Sequence, residues 1–103
     1  MEALTHAIAR FASEFRADSP PLAALTLARE AFIDLVGVMI AGSVEPVADV
    51  LQRCTGHDTG PCAALLDPAL RRSASAAALI NGTCAHALDF DDVQFNGHPS
   101  TVL

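Results

Sequence analysis

Side chains that could do chemistry are concentrated between residues 81 and 100, where two histidines and three aspartates fall within thirteen positions. The stretch reads Asn-Gly-Thr-Cys-Ala-His-Ala-Leu-Asp-Phe-Asp-Asp-Val-Gln-Phe-Asn-Gly-His-Pro-Ser, and its ionisable members are His86, Asp89, Asp91, Asp92 and His98. Imidazole titrates near neutral pH, and neighbouring carboxylates disfavour joint ionisation, so we expect one carboxyl to have a raised pKa. Groups of this kind suit general acid/base catalysis.

Two other interpretations of this stretch stay open. The aspartates also suit a solvated helix end with His98 in a surface turn, although the helix dipole disfavours acidic groups there. The five side chains are also possible ligands for zinc, manganese or iron. A metal site is the weaker interpretation, because no histidine pair has H-x-x-x-H spacing and the stretch holds no glutamate to act as a base. We predict no metal and no cofactor, and a free-standing metal hydrolase has little support.

The rest of the sequence predicts a helical scaffold for this stretch. Apolar residues recur at helical spacing in segments that Pro and Gly interrupt, and an alanine-rich run leads into the ionisable residues. In the first segment, Leu4, Ile8, Phe11 and Phe15 predict one apolar stripe that faces a core. The predicted helices cover residues 4–15, 20–41, 46–55 and 74–87, with Ser19 able to cap the second and Gly42 as its stop. We therefore predict an all-α helical bundle, with 61–66 as one short extended segment. If the last helix continues to Asp92, then Asp89 and Asp92 share a face with His86 while Asp91 points elsewhere.

Composition limits the classes of partner. The 103 residues suffice for one domain, and a chain that is 51% hydrophobic and 17% charged is expected to bury apolar surface against another partner. A net charge of −6 with scattered arginines argues against nucleic-acid binding. The longest uncharged apolar run, residues 35–44, is about half of a membrane span. We predict no membrane segment, a cytoplasmic location, and buried free thiols at Cys54, Cys62 and Cys84.

One motif resembles a known family. The residues that carry the likeness are Asn81-Gly82, His86-Ala87-Leu88-Asp89-Phe90-Asp91-Asp92 and Gly97-His98-Pro99-Ser100, which are similar to the NG, HaLDFDD and HPS signature of the MmgE/PrpD family. The resemblance implies that Asp89 and His98 are catalytic, with Asp89 a hydrogen-bonding or acid/base group. It also implies that His86, Asp92 and Val93 contact substrate, although the family usually has threonine where this chain has Val93.

The same resemblance implies a fold and an activity. The family includes 2-methylcitrate dehydratase, cis-aconitate decarboxylase and iminodisuccinate epimerase, which act next to a carboxylate without metal, and its members are usually homodimers. We therefore expect residues 1–103 to be part of an N-terminal helical domain, truncated at its C-terminus, from a lyase for a small polycarboxylate. 2-Methylcitrate dehydration is the first expectation; decarboxylation and epimerisation stay open. Because the chain has no lysine, we expect it to be inactive alone. A vestigial helical module without catalysis, docked on a partner, is the alternative.

Overall fold

Helices make up most of this structure, a computed structural model that describes residues 3–15, 20–93 and 97–102. In chain order the elements in those ranges are α1 (Leu4–Glu14), α2 (Leu22–Gly42), α3 (Pro46–Cys54), β1 (Cys62–Ala64), β2 (Asp67–Arg72), α4 (Ala74–His86) and a short 3₁₀ helix (Pro99–Val102). The predicted helical fold with a short extended segment is confirmed. The strand β2 is an addition, since the sequence predicted only the segment that contains β1.

Prolines mark the starts of the two middle helices. Pro21 is the N-cap of α2, and Pro46 occupies the first turn of α3 behind the N-cap Glu45. Proline suits these positions because the first helical amides have no acceptor within the helix. The predicted stop at Gly42 is confirmed, because Gly42 is the last residue of α2.

The core lies around α4, which packs against α2, α3 and the two-stranded sheet. The largest fully buried side chains are Ile80 and Cys84, both on α4. Small residues let the helices approach closely: a Cβ atom added to Gly42 would overlap the main-chain carbonyl oxygen of Cys84. The end of α2 and the last turns of α4 are therefore in close backbone contact.

The three cysteines differ in environment. Cys84 is buried, Cys62 is half-buried and Cys54 is exposed, and none of them forms a disulfide. The predicted buried thiol is right for Cys84 and wrong for Cys54. Burial raises the pKa of the Cys84 thiol, which keeps it protonated and unreactive.

A strained turn joins β1 to β2. Leu65 and Leu66 both have positive φ angles, 54° and 58°, which leucine rarely adopts. The side chain of Asn81 on α4 holds this turn: its Oδ1 accepts a hydrogen bond from Leu65 N at 2.7 Å, and its Nδ2 donates to Ala63 O at 3.3 Å. Asn81 is a weak helix former in the middle of a helix, and this clamp explains its presence.

Asp58 fixes the start of α4. Ser73 caps the helix by accepting a hydrogen bond from Ala76 N at 3.3 Å. Asp58 in turn accepts hydrogen bonds from Ser73 N at 2.6 Å and from Ser73 Oγ at 2.9 Å. The backbone hydrogen bond, followed by the side-chain one, holds the pKa of Asp58 below its ordinary value of 3.8.

A pH-dependent loss of stability is expected for Asp58→Ala. A carboxyl whose pKa is lowered by folding stabilises the native state above its unfolded pKa, and this stabilisation is lost as the pH falls through the folded pKa. The melting temperature of the variant should therefore lie below that of the parent at pH 7, and the difference should shrink below about pH 3.8. Circular dichroism melts across this range measure it. Asp49→Ala, which removes an exposed i, i+4 ion pair, is the matched control and should change little.

The helix α1 exposes the apolar stripe that the sequence predicted to face a core. None of its residues is buried, and Leu4, Ile8 and Phe11 are 75%, 58% and 68% exposed. Phe15, just after the helix, is half exposed and its ring lies 5.8 Å from that of Phe11. The predicted core contact of this helix is therefore wrong for the residues that the structure describes.

Membrane-spanning length was tested for the helices within the described ranges. No single one is both long enough and apolar enough to cross a bilayer. Only α2 and α3 taken together meet the criteria of length and composition, and that pair is bent by 87° at the break between its members.

Candidate functional site

The candidate site begins where α4 ends. The helix stops at His86, and Asp89 then adopts a positive φ of 54° while its amide donates to His86 O at 3.0 Å. Aspartate tolerates this left-handed conformation better than most residues do. The helix therefore does not continue to Asp92, and the shared helical face of His86, Asp89 and Asp92 that such a continuation would give does not form.

The turn at Asp89 directs Asp91 into the protein. Asp91 is only 4% exposed, and its Oδ1 lies 3.0 Å from Nδ1 of His86. Its Oδ2 lies 2.9 Å from Nδ1 of His98. One buried carboxylate thus contacts both imidazoles, although the helical spacing predicted that Asp91 points elsewhere. Sequence reasoning did not select Asp91 as a site residue.

The two predicted catalytic residues lie near each other. Nε2 of His98 is 3.8 Å from Oδ1 of Asp89, and the Asp89 side chain is 78% exposed. The ring of His98 also meets the ring of His86 edge to face, with their centroids 4.3 Å apart. His98 therefore has one nitrogen towards the buried Asp91 and the other towards the exposed Asp89.

The contacts shift two pKa values in opposite directions. Burial raises the pKa of Asp91, but the hydrogen bond with His86 and the positive charge of the two imidazoles outweigh burial and hold this pKa below 3.8. The hydrogen bond to Asp91, aided by the charges of Asp91 and Asp89, raises the pKa of His86 above 6.5 against partial desolvation. Asp91 is therefore not the carboxyl with the expected raised pKa, and the contact favours the charged forms of both Asp91 and His86.

An open cavity of about 590 Å³ lies beside the imidazoles. Its wall comes from α3, α4 and the segment from His98 to Thr101, and is lined by Val47, Ala78, Leu79, Gly82, Thr83, His86, Ala87, His98 and Thr101. Most of these side chains are small or apolar, so the two imidazoles are the ionisable groups of this wall. A small anionic ligand in this cavity would meet His86 and His98 first.

Asp92 and Val93 stand apart from the cavity. Both are exposed, Val93 by 64%, and neither lines the wall. Their predicted contacts with substrate stay predictions. The following motif residues 94–96 and the side chain of Ser100 lie outside the part of the chain that the structure describes.

The same cluster offers atoms to a metal ion. One ligand atom from each of His86, Asp89, Asp91 and His98 lies within 4.8 Å of the others. The H-x-x-x-H criterion did not detect this grouping, because the turn at Asp89 creates it and not the spacing along a helix. Both imidazole Nδ1 atoms, however, are turned towards Asp91, so the histidines and the carboxylate offset each other's charge without an ion.

Sequence comparison places these residues in a family. No curated protein and no solved structure matches the chain. The family model of the MmgE/PrpD N-terminal domain, in contrast, matches residues 6–103, which include α2 to α4 and the whole candidate site. The match covers nearly the entire length and agrees with the motif from Asn81 to Ser100. The chain therefore belongs to the MmgE/PrpD family, of which it carries the N-terminal domain.

Proposed function

We propose that this chain supplies acid/base residues to a lyase that removes a proton from the carbon next to a substrate carboxylate. The observation that carries the proposal is the 3.8 Å approach of His98 Nε2 to Asp89 Oδ1, beside a cavity that His86 and His98 line. An elimination needs a base for the carbon-bound proton and a partner for the departing hydroxyl group. His98 and Asp89 are suited to these two roles.

The proposed dehydration follows from these positions. Nε2 of neutral His98 takes the proton from the carbon next to the carboxylate, the C–O bond on the neighbouring carbon breaks, and the electron pair forms the double bond. Asp89 accepts a hydrogen bond from the hydroxyl group and orients it. The proton on His98 then passes to the departing oxygen, which leaves as water, so His98 is neutral again.

Electrostatics favour a polycarboxylate as the substrate class. The hydrogen bond to Asp91 raises the pKa of His86 and so favours its charged form, and His86 lies on the cavity wall, where that form can pair with a substrate carboxylate. Asp89, Asp91 and Asp92 make the surroundings acidic, so a substrate with two or three carboxylates needs further cations. The 103 residues contain no lysine. We therefore propose that groups outside this chain complete the site, and that the chain alone does not turn over substrate.

Among the substrates of the family, we propose 2-methylcitrate for the complete enzyme. We also propose that this enzyme is a homodimer in the cytoplasm. Proton transfer between side chains requires no metal or other cofactor, and we propose none. Asp92 and Val93 lie outside the cavity, so they contact substrate only if it extends past Asp89. Val93 cannot offer the hydroxyl group of the usual threonine, which makes decarboxylation or epimerisation the alternatives within the family.

The function is tested with a chimera in which residues 6–103 replace the matching segment of an active MmgE/PrpD enzyme. We expect the chimera to dehydrate 2-methylcitrate, followed by absorbance of the unsaturated product, and the chain alone to show no turnover. Release of CO₂ from cis-aconitate and epimerisation of iminodisuccinate are measured in parallel. A folded chimera that is inactive on all three substrates would contradict the proposed activity, and turnover by the chain alone would contradict the need for outside groups.

A helical interaction module is the second candidate, and α1 is the observation that favours it. Its apolar stripe of Leu4, Ile8 and Phe11 is exposed to solvent. Burial of this stripe against a partner would be favourable, because apolar surface is costly to expose to water. Sedimentation of the chain, together with the activity of the chimera, distinguishes the interaction module from the enzyme. Concentration-dependent association combined with an inactive chimera supports the module, whereas an active chimera supports the enzyme.

A further inference from the structure

The geometry points to Asp91 as a positioning residue that holds the imidazoles of His86 and His98 by their Nδ1 atoms, so that each neutral ring carries its hydrogen on Nδ1 and presents Nε2 as the basic nitrogen. The catalytic meaning of this arrangement rests on the proposed function. The arrangement itself is a property of the chain and can be measured without any substrate.

Burial makes Asp91 suited to this task. Its side chain is fully inaccessible to solvent, whereas the side chains of His86 and His98 remain 50% and 27% exposed. A buried carboxylate is stable only where donors face it. The two Nδ1 atoms lie 3.0 Å and 2.9 Å from its two oxygens, so each oxygen has one imidazole nitrogen within hydrogen-bond distance.

The contact between Asp91 and His98 involves two buried polar atoms that have no other partner among the described residues. Asp91 Oδ2 and His98 Nδ1 are both buried, and in the described part of the chain neither has a partner in a well-aligned hydrogen bond. The two atoms lie 2.9 Å apart, which is within hydrogen-bond distance, so each is the nearest available partner of the other. Leaving both atoms buried and unpaired would destabilise the folded chain. The carboxylate therefore selects the tautomer with hydrogen on Nδ1.

The consequence for His98 follows from imidazole chemistry. A neutral ring has one donor and one acceptor nitrogen, so hydrogen on Nδ1 leaves the lone pair on Nε2. Nε2 is the nitrogen that faces Asp89. A free imidazole prefers the opposite tautomer, so Asp91 changes which nitrogen can take a proton. The other oxygen of Asp91 favours the same tautomer at His86 when that ring is neutral, so Nε2 is also the basic nitrogen of His86.

The test is nitrogen NMR of the 103-residue chain labelled with ¹⁵N-histidine, recorded in the presence of a chelator at a pH where both rings are neutral. The two ring nitrogens differ widely in ¹⁵N shift according to which one carries hydrogen. His86→Gln and His98→Gln assign the two signals, and His6 and His57 serve as internal references. We expect the Nδ1–H tautomer to dominate at His86 and His98. Dominance of the Nε2–H form at His98 would overturn the proposal.

The variant Asp91→Asn extends the test. We expect the rings of His86 and His98 to return towards the Nε2–H form that free imidazole prefers, and the conservative Asp91→Glu to retain part of the parental signal. Asp49→Asn removes an equal charge at an exposed position and should leave both rings unchanged. Unchanged tautomers in a folded Asp91→Asn chain would reject the positioning role. If that variant does not fold, the parental spectrum alone still decides between the two tautomers.

Activity of the chimera separates this inference from the proposed function. With the hydrogen on Nε2, His98 cannot accept a proton at the nitrogen that faces Asp89. Asp91→Asn should therefore lower kcat by at least about 10²-fold while KM changes little. For comparison, loss of the orienting carboxylate in a Ser-His-Asp triad costs about 10⁴-fold. Parental kcat in Asp91→Asn would contradict the positioning role. An inactive parental chimera with the Nδ1–H tautomer present would instead contradict only the proposed reaction.

Discussion

Replacing His98 with glutamine is expected to lower the turnover of 2-methylcitrate by the chimera by at least about 10²-fold, because general acid/base assistance contributes about 10²–10⁴-fold. Glutamine keeps hydrogen-bonding atoms near Asp91 but cannot exchange a proton at neutral pH. The loss should therefore appear in kcat with a smaller change in KM. Steady-state kinetics followed by absorbance of the product measure both constants.

Asp89 requires a different substitution in the same experiment. Its φ of 54° would strain an alanine, whereas asparagine tolerates the left-handed conformation. Asp89→Asn therefore removes the charge near His98 Nε2 without disturbing the turn, and we expect kcat to fall. Asp49→Asn is the matched control, since it removes one charge at an exposed site. Parental kinetics in both His98→Gln and Asp89→Asn would exclude these residues from the chemistry.

The largest structural effect is expected for Gly42→Ala. The added Cβ would overlap the carbonyl oxygen of Cys84 and would lie 3.2 Å from the Cβ of Ala87, so α2 and α4 would have to move apart. Overpacking of this kind costs about 1–3 kcal/mol, and more where backbone must shift. We therefore expect a clear fall in the free energy of unfolding, measured by urea denaturation.

Gly37 provides the matched control on the same helix. A Cβ added to Gly37 would meet no atom within 4 Å, so Gly37→Ala tests helix propensity alone. Alanine is favoured over glycine within a helix by about 0.5–1 kcal/mol, so this variant should be more stable than the parent. Equal effects of the two substitutions would contradict the close contact between α2 and α4.

Local signals in the sequence were sufficient for most of the fold. Apolar periodicity and proline positions located α2 and α3, and alanine content located α4. The strand β2 was missed because Asp67-Pro68 indicates a loop and its apolar content is low. The exposure of α1 could not be foreseen, since a helical stripe predicts that a face is apolar and not that a partner lies within reach.

The site was predicted less completely than the fold. The motif identified Asp89 and His98, which the structure brings within 3.8 Å, but helical spacing assigned Asp91 to the wrong side. The error has one cause: a single left-handed residue ends the helix and reverses which aspartate faces inward. A partial signal was present, because the acidic end of a helix is unfavourable unless its charges are paired.

The clamp that Asn81 forms on the turn between the strands changes how genetic data on this motif should be interpreted. Asn81 is the first residue of the signature, yet its amide group holds the backbone of Leu65 and Ala63, and its loss would remove folded protein from the cell. An assay of activity in cells is expected to respond alike to changes at Asn81 and, with His98 in its proposed role, to changes at His98. Protein abundance measured beside this activity would tell them apart, since only the histidine variant should accumulate normally.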